Sequence, residues 1–158
     1  MEDFSIRKAV EQDTPLIFDL IKELAIYERL EHEMITTIQE LEQNIFKKQQ
    51  AHVIIAEENG IPVGFALYFF NFSTFMGKHG LYLEDLYVKS AFRGKGYGKR
   101  LLKHLAKIAK AEDCGRMEWS VLDWNEPSIA FYKSLGAKPM EEWTVFRVTG
   151  KELNELAK

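Results

Sequence analysis

The chain has 158 residues, 46% of them hydrophobic and 13% aromatic, with 21 lysines and arginines against 24 aspartates and glutamates, a formal net charge of −3. That is apolar material for one globular core, so a single domain over residues 1–158 is expected, and the slight acidity gives no support to general nucleic-acid binding. No apolar run reaches the roughly 18–20 residues of a membrane span, and Met1-Glu2-Asp3 lacks the positive start of a secretion signal, so a cytoplasmic protein with no membrane partner is expected. The lone Cys114 has no partner for an internal disulfide and reads as a small packing side chain. His32, His52, His79 and His104 show no paired ligand spacing, so no metal is expected.

Phe4-Ser5-Ile6-Arg7 alternates as a half-buried strand does, and Asp13-Thr14-Pro15 offers a cap followed by proline at a helix start. Leu16, Ile17, Leu20, Ile21, Leu24 and Ala25 then recur at helical spacing to about Arg29. Thr37-Ile38-Gln39-Glu40 has the form of a capping box, predicting a second, shorter helix to about Lys47. In "AHVIIAEENGIPVGFALYFF" two β-branched and aromatic runs flank Asn59-Gly60, the pattern of a tight antiparallel hairpin. A loop is expected from Asn71 to Gly80. In "LYLEDLYV", strict alternation would put Leu81, Leu83, Asp85 and Tyr87 on one face and Tyr82, Glu84, Leu86 and Val88 on the other. A helix burying Leu101, Leu102, Leu105, Ile108 and Ala109 follows, with Gly115 placed to end it. "MEWSVL" reads as a strand, Pro127 to Leu135 as a short helix, and "WTVFRV" as a last strand before a C-terminal helical turn. Hairpins supply antiparallel pairs and helical crossovers parallel ones, so the class is α/β (α+β mixed), with helices packed on a mixed sheet.

The chemistry concentrates between strand and helix, in "VKSAFRGKGYGKRLL". Helix-start N–H groups have no intrahelical acceptor and favour an anion, above all a phosphate, and Gly94, Gly96 and Gly98 let the backbone come close to one. The spacing fits neither the P-loop nor the dinucleotide fingerprint, which disfavours ATP and NAD. What remains is Arg93-x-x-Gly96-x-Gly98, with Arg93, Lys95, Lys99 and Arg100 available to a pyrophosphate. A basic solvated loop is the alternative reading of this segment alone.

Arg-x-x-Gly-x-Gly between a strand and a helix resembles the acetyl-CoA signature of the GNAT superfamily of N-acetyltransferases. Within it, "LIKELAIYE", "VGFALYFFNF", "LYLEDLYV", "RGKGYG" and "WNEPSIAFYKSLGA" are similar to segments of the spermidine/spermine (diamine) acetyltransferases and their thialysine-acetylating relatives, over roughly Phe4 to Val148. The resemblance implies a central mixed, largely antiparallel sheet of about six to seven strands flanked by about four helices. It also implies acetyl transfer from acetyl-CoA to a primary amine of a small polyamine, diamine or thialysine-like amino acid, in a homodimer that builds its clefts partly from both subunits.

The same resemblance assigns roles. Leu86, Tyr87, Val88, Arg93, Gly94, Lys95, Gly96, Tyr97, Gly98 and Lys99 would bind the pantetheine and pyrophosphate, with Asn125 assisting, although Asn125 could equally cap the helix after it. An N–H near Leu86 to Val88 would stabilise the oxyanion. Tyr132 would protonate the leaving thiolate, which suits a phenol of ordinary pKa about 10. Glu84 would accept the amine's proton, directly or through water, and Asp85 would add negative potential. Tyr27, Glu28, Phe75 and Trp143 would lie on the substrate side. Spermidine-acetylating relatives carry an acid and a tryptophan where this chain has Ser73-Thr74 and Phe75, which resembles the thialysine type and favours a lysine-like amino acid or short diamine over spermine. A protein or peptide acceptor, or a non-catalytic acetyl-CoA-binding module, are the alternatives.

Overall fold

The computed structural model describes residues 3–158, and the chain divides into two compact units, one ending at Ser120 and the other Val121–Lys158. In the first unit β1 (Phe4–Lys8) is followed by α1 (Thr14–Tyr27) and α2 (Ile38–Leu41), which continues as a π-helical turn over Glu42–Lys47. Then come β2 (His52–Glu58), β3 (Ile61–Ser73), β4 (Lys78–Val88), α3 (Tyr97–Ala111) and β5 (Met117–Trp119). The sheet order is β1-β2-β3-β4-β5, antiparallel except where the α3 crossover makes β5 parallel to β4. The class is therefore mixed α/β, as the pattern of hairpins and helices implies.

Local chemistry explains most boundaries. Proline stands in the first turn of α1, and the Asp13 carboxylate just before it accepts from Val10 N at 2.8 Å and from Arg7 at 2.7 and 2.9 Å. The Arg7 hydrogen bond holds the Asp13 carboxyl below the usual range. The Thr37 box is formed: Glu40 N donates to Thr37 Oγ1 at 3.1 Å, and Thr37 N to Glu40 Oε2 at 3.3 Å. Asn59 and Gly60 both have positive φ, 52° and 79°, as a turn matched to strand twist requires.

Three expectations are corrected. The described residues hold five strands, because residues 143–148, "WTVFRV", pair with nothing as a strand and lie exposed, and because "MEWSVL" is extended only over Met117–Trp119. The α-helices among the described residues number five, in keeping with about four. The loop from Asn71 to Gly80 shrinks to residues 74–77, since ladder pairing from Asn71↔Gly80 to Ser73↔Lys78 carries the strands nearly to the tip. Gly115 does not end α3; Asp113 takes the left-handed position (φ 55°), with Asp113 N bonding Lys110 O and Cys114 N bonding Ala109 O, a Schellman closure secured by Lys78 at 2.9 Å.

The remaining correction concerns β4. Leu67 pairs with Asp85 and Tyr68 with Leu83, so Glu84 has no partner: it is the extra residue of a β-bulge. Cross-strand partners share a face, and the bulge reverses the alternation. Asp85 and Tyr87 lie with Leu67 and Phe65 on the α1 face, whereas Leu81 and Leu83 lie with Phe70 and Tyr68 on the other, against which α3 packs. The α1 face holds a core of Ile17, Leu20 and Leu24 against Val53, Ile55, Phe65, Leu67 and Tyr87. On the α3 face Leu101, Leu102, Leu105 and Ala109 are buried, as their helical spacing predicts.

β3 must come very close to β4 beside the bulge. A Cβ on Gly64 would stand 2.6 Å from the Tyr87 carbonyl oxygen and 3.2 Å from Val88 Cα, backbone atoms that cannot turn aside. Gly64→Ala is therefore expected to cost about 2 kcal/mol, read as a lower urea midpoint at unchanged m-value; an unshifted midpoint would show that the strands can part there freely.

Candidate active site

β4 delivers its C-terminal half to the end of α1 and then enters the glycine loop. Three carboxyls meet there: Glu28, the residue capping α1; Glu84, exposed at the bulge; and Asp85, turned inward by it. Burial, reinforced by the charges of Glu84 and Glu28, pushes the Asp85 carboxyl up to about 7. Burial and the Glu84 charge also raise Glu28. A site in which like charges are held together against their preference attracts a cation, and a primary ammonium is the small cation that carries an acylatable nitrogen.

Beyond Val88 the loop is tied to α1. Arg93 donates from Nε to the Val88 carbonyl at 3.0 Å, and its guanidinium lies 4.7 Å from the Tyr27 ring centroid and 5.5 Å from that of Tyr87. The Tyr87 hydroxyl donates to Glu23 at 3.3 Å, and Lys89 pairs with the same carboxylate at 3.5 Å. Lys95 binds Glu58 at 2.9 Å, and Arg100 stacks 4.1 Å from the Phe4 centroid. The Arg93, Lys95 and Arg100 side chains thus already have protein partners, which leaves the loop backbone, with the exposed Lys99, as the surface open to an anion.

That surface fits a pyrophosphate. Gly94 and Gly96 have φ of 83° and 81°, a region other residues enter at a cost, and Gly96 caps α3 without a side chain. Gly98 has no such φ, yet a Cβ there would meet nothing within 4 Å, so its missing side chain leaves open room at the helix start. The first helical bond runs from Arg100 N to Gly96 O, so Gly98 and Lys99 point their N–H groups out of the helical ladder, where the helix dipole adds partial positive charge. β5 pairs only with Leu81 to Leu83, so the same edge of β4 carries no strand partner from Glu84 to Val88 among the described residues.

The first unit thus gathers Tyr27, Glu28, Glu84, Asp85, Leu86, Tyr87, Val88 and the loop from Arg93 to Lys99. Phe75 is not among them: it is 99% exposed at the hairpin tip, and Lys78 to Glu84 alone spans about 20 Å of strand. Asn125, Tyr132 and Trp143 belong to the second unit. There Asn125 is buried and caps α4 (Glu126–Ser134), accepting from Ser128 N at 3.4 Å. The Tyr132 ring lies 5.7 Å from that of Phe131, and Trp143 is exposed in the irregular stretch before α5 (Gly150–Leu156). Glu23 and Glu58, which hold the loop from behind, escaped the sequence reading. Glu58 had a signal: alternation from His52 through Ile54 and Ala56 puts it on an apolar face, where a carboxylate needs a partner.

A strand that bulges beside half-buried acids and then runs into a glycine-rich helix start brings a cluster of carboxyls next to backbone N–H groups suited to an anion. Comparison with known proteins gives the class its name: residues 15–137 match the model of the Acetyltransferase (GNAT) family. The chain is 37% identical to thialysine N-epsilon-acetyltransferase of Bos taurus over 96% of either chain. It is 39% identical to human spermidine/spermine N(1)-acetyltransferase-like protein 1 over 99% of its own length and 24% of that protein's. Among solved structures, an integron cassette protein from the mobile metagenome of V. cholerae superposes with a TM-score of 0.81, 33% identity and 98% coverage of both chains. The chain belongs to the GNAT acetyltransferase family and is an N-acetyltransferase, which removes the non-catalytic module from the alternatives. No helix among the described residues is long and apolar enough to cross a membrane.

The raised carboxyl gives a stability signature. Asp85 would titrate near 3.9 in the unfolded chain and near 7 in the fold, so between those values the native state keeps a proton the unfolded state has lost. Stability attributable to Asp85 therefore falls as pH rises from about 4 to about 7 and is level above. The melting temperature of Asp85→Asn should lose that decline; parallel curves for mutant and wild type would show that folding does not raise the Asp85 carboxyl.

Proposed function

We propose that the protein transfers acetyl from acetyl-CoA to the primary amine of a small cationic acceptor, a thialysine-like amino acid or short diamine, by direct attack within a ternary complex. The observation that carries this reading is the gathering of Glu28, Glu84 and Asp85 where β4 enters the glycine loop. Acetyl-CoA, when bound, supplies an activated acetyl thioester. Loop N–H groups, Gly98 and Lys99 among them, would hold its pyrophosphate, and the open edge of β4 from Glu84 to Val88 would offer backbone groups to its pantetheine arm and to the oxyanion. Glu28 and Asp85 draw in the ammonium and orient it. Glu84, exposed on the bulge, takes the proton that must leave before nitrogen can attack.

Tyr132 is assigned the return of a proton to the departing thiolate, on the resemblance carried by "WNEPSIAFYKSLGA". Asn125 holds the start of the same helix, and Trp143 belongs to the substrate side in this reading. One domain over residues 1–158 in the cytoplasm is part of it; the free thiol of Cys114 suits a reducing compartment.

The acceptor follows from charge. Ser73 is only 6% exposed and its hydroxyl accepts from Met76 N at 3.2 Å, so Ser73 fixes the hairpin turn, while Thr74 and Phe75 are the residues displayed. Neither adds the counter-charge a long polycation would use, which favours an acceptor bearing its own carboxylate. The thialysine specificity named for the bovine relative agrees. Phe72, Phe75 and Met76 form an exposed apolar tip far along the hairpin from Glu84, and a homodimer in which this tip serves a partner's cleft gives Phe75 its substrate role.

Release of CoA thiol with thialysine, lysine, putrescine, spermidine and a lysine-containing peptide, ranked by kcat/KM, tests the reading. Thialysine should lead; a leading peptide would transfer the acceptor to protein. Glu84→Gln should lower the rate on the order of 100-fold, most at low pH where the amine is least often neutral, and an unchanged pH profile would end its role as base. Tyr132→Phe should lower kcat and leave acetyl-CoA affinity intact; full turnover would remove it from the mechanism.

A further inference from the structure

Glu58 is a carboxylate on the sheet's α3 face, the last residue of β2 and the cross-strand partner of Phe4, and only 9% exposed. A charge so placed survives only if its partners are good. Both partners come from the glycine loop. The Lys95 ammonium reaches Glu58 Oε1 at 2.9 Å, and the Tyr97 hydroxyl donates to the same oxygen. Tyr97 is itself buried, its ring stacked on Phe4 at a centroid distance of 4.2 Å. Lys95 Nζ also lies 5.5 Å from the centroid of Phe92, in the turn that opens the loop.

We propose that Glu58 is a positioning residue for the donor-binding loop: by binding Lys95 and Tyr97, the residues either side of Gly96, through one oxygen, it holds the loop backbone in the conformation that receives the pyrophosphate. This rests on the acetyl-CoA reading above. The physical need is plain, because Gly94 and Gly96 sit at positive φ in open space and carry no side chain that could restrain them. A loop that must be ordered on binding loses affinity by that ordering, and one ordered in advance does not. Fixing the side chains at positions i and i+2 leaves the peptide units between them little freedom. The same contacts draw the Lys95 ammonium back toward the sheet, leaving the front of the loop to N–H groups. Tyr97 and Lys95 hold the Glu58 carboxyl below its ordinary range, so the clamp stays charged through neutral pH.

Calorimetric titration of CoA into the full chain and into its Glu58→Gln and Glu58→Ala variants tests this. Glu58→Ala should weaken CoA about tenfold, and Glu58→Gln, which keeps an acceptor for Tyr97 but no charge for Lys95, about threefold. In turnover the loss should fall on the KM for acetyl-CoA, with kcat at saturating donor within about twofold of wild type. Hydrogen exchange should quicken at residues 93–98 and stay unchanged in β2 and β3. CoA affinity equal to wild type in both variants would overturn the proposal, as would a fall in affinity accompanied by exchange rising across the whole sheet, which would make Glu58 merely structural. If Glu58→Ala does not fold, the nearly isosteric Glu58→Gln decides between weakened and unchanged affinity. A wild-type chain that binds no CoA would instead sink the donor reading beneath, an outcome distinct from variants that bind as wild type does.

Discussion

One unpaired residue, Glu84, sets which way the side chains of β4 face. An unbroken ladder would have turned Asp85 and Leu83 to the same face of the sheet. The extra residue at the bulge reverses the alternation, so that Leu81 and Leu83 serve the α3 side while Asp85 and Tyr87 face α1. It leaves Glu84 outside the ladder and exposed, Asp85 half-buried beside it, and both near the end of α1, where Glu28 stands. Burial costs a carboxylate its hydration, and here it is offset only in part, which is why Asp85 retains its proton to about neutral pH. A cationic acceptor would supply the missing compensation.

The loop that follows shows a division of labour between side chains and backbone. Its basic residues suggest a cluster of phosphate-binding side chains, but Arg93 is inserted between the rings of Tyr27 and Tyr87, Lys95 is bound by Glu58, and Arg100 lies over Phe4. These cations brace the loop from behind. The glycines then serve in two ways: Gly94 and Gly96 supply the left-handed bends, and Gly98 leaves space where a side chain would otherwise stand. A flexible backbone braced by ion pairs and ring stacking is suited to binding an anion through N–H groups, whose fixed dipoles need little reorganisation.

Much of this was legible in the chain. Periodicity located α1 and the buried face of α3, the Thr37 box and the Asn59-Gly60 turn formed as their residue types require, and the glycine spacing marked the start of α3. These succeed because they are local: a cap, a turn and an amphipathic face are each decided within about a dozen residues. The misreadings share the opposite property. "WTVFRV" has the composition of a strand, but a strand exists only by pairing, and no partner meets it among the described residues. Asn71 to Gly80 reads as a loop from its polar residues, but ladder pairing with the facing strand carries β3 to Ser73.

Sequence alone determined the class of fold, the position of the glycine loop, the acidic pair at the end of β4 and the family these motifs declare, since each depends on residue types at short spacing. Tertiary structure decided which way those residues face and what restrains them. The bulge at Glu84 requires a partner strand that skips a residue, the raised carboxyl of Asp85 requires α1 packed over it, and the hold of Glu58 on Lys95 and Tyr97 joins positions 37 and 39 residues apart. Such contacts arise only when the sheet and its helices close together, because burial and pairing belong to the assembled surface and to no segment of it.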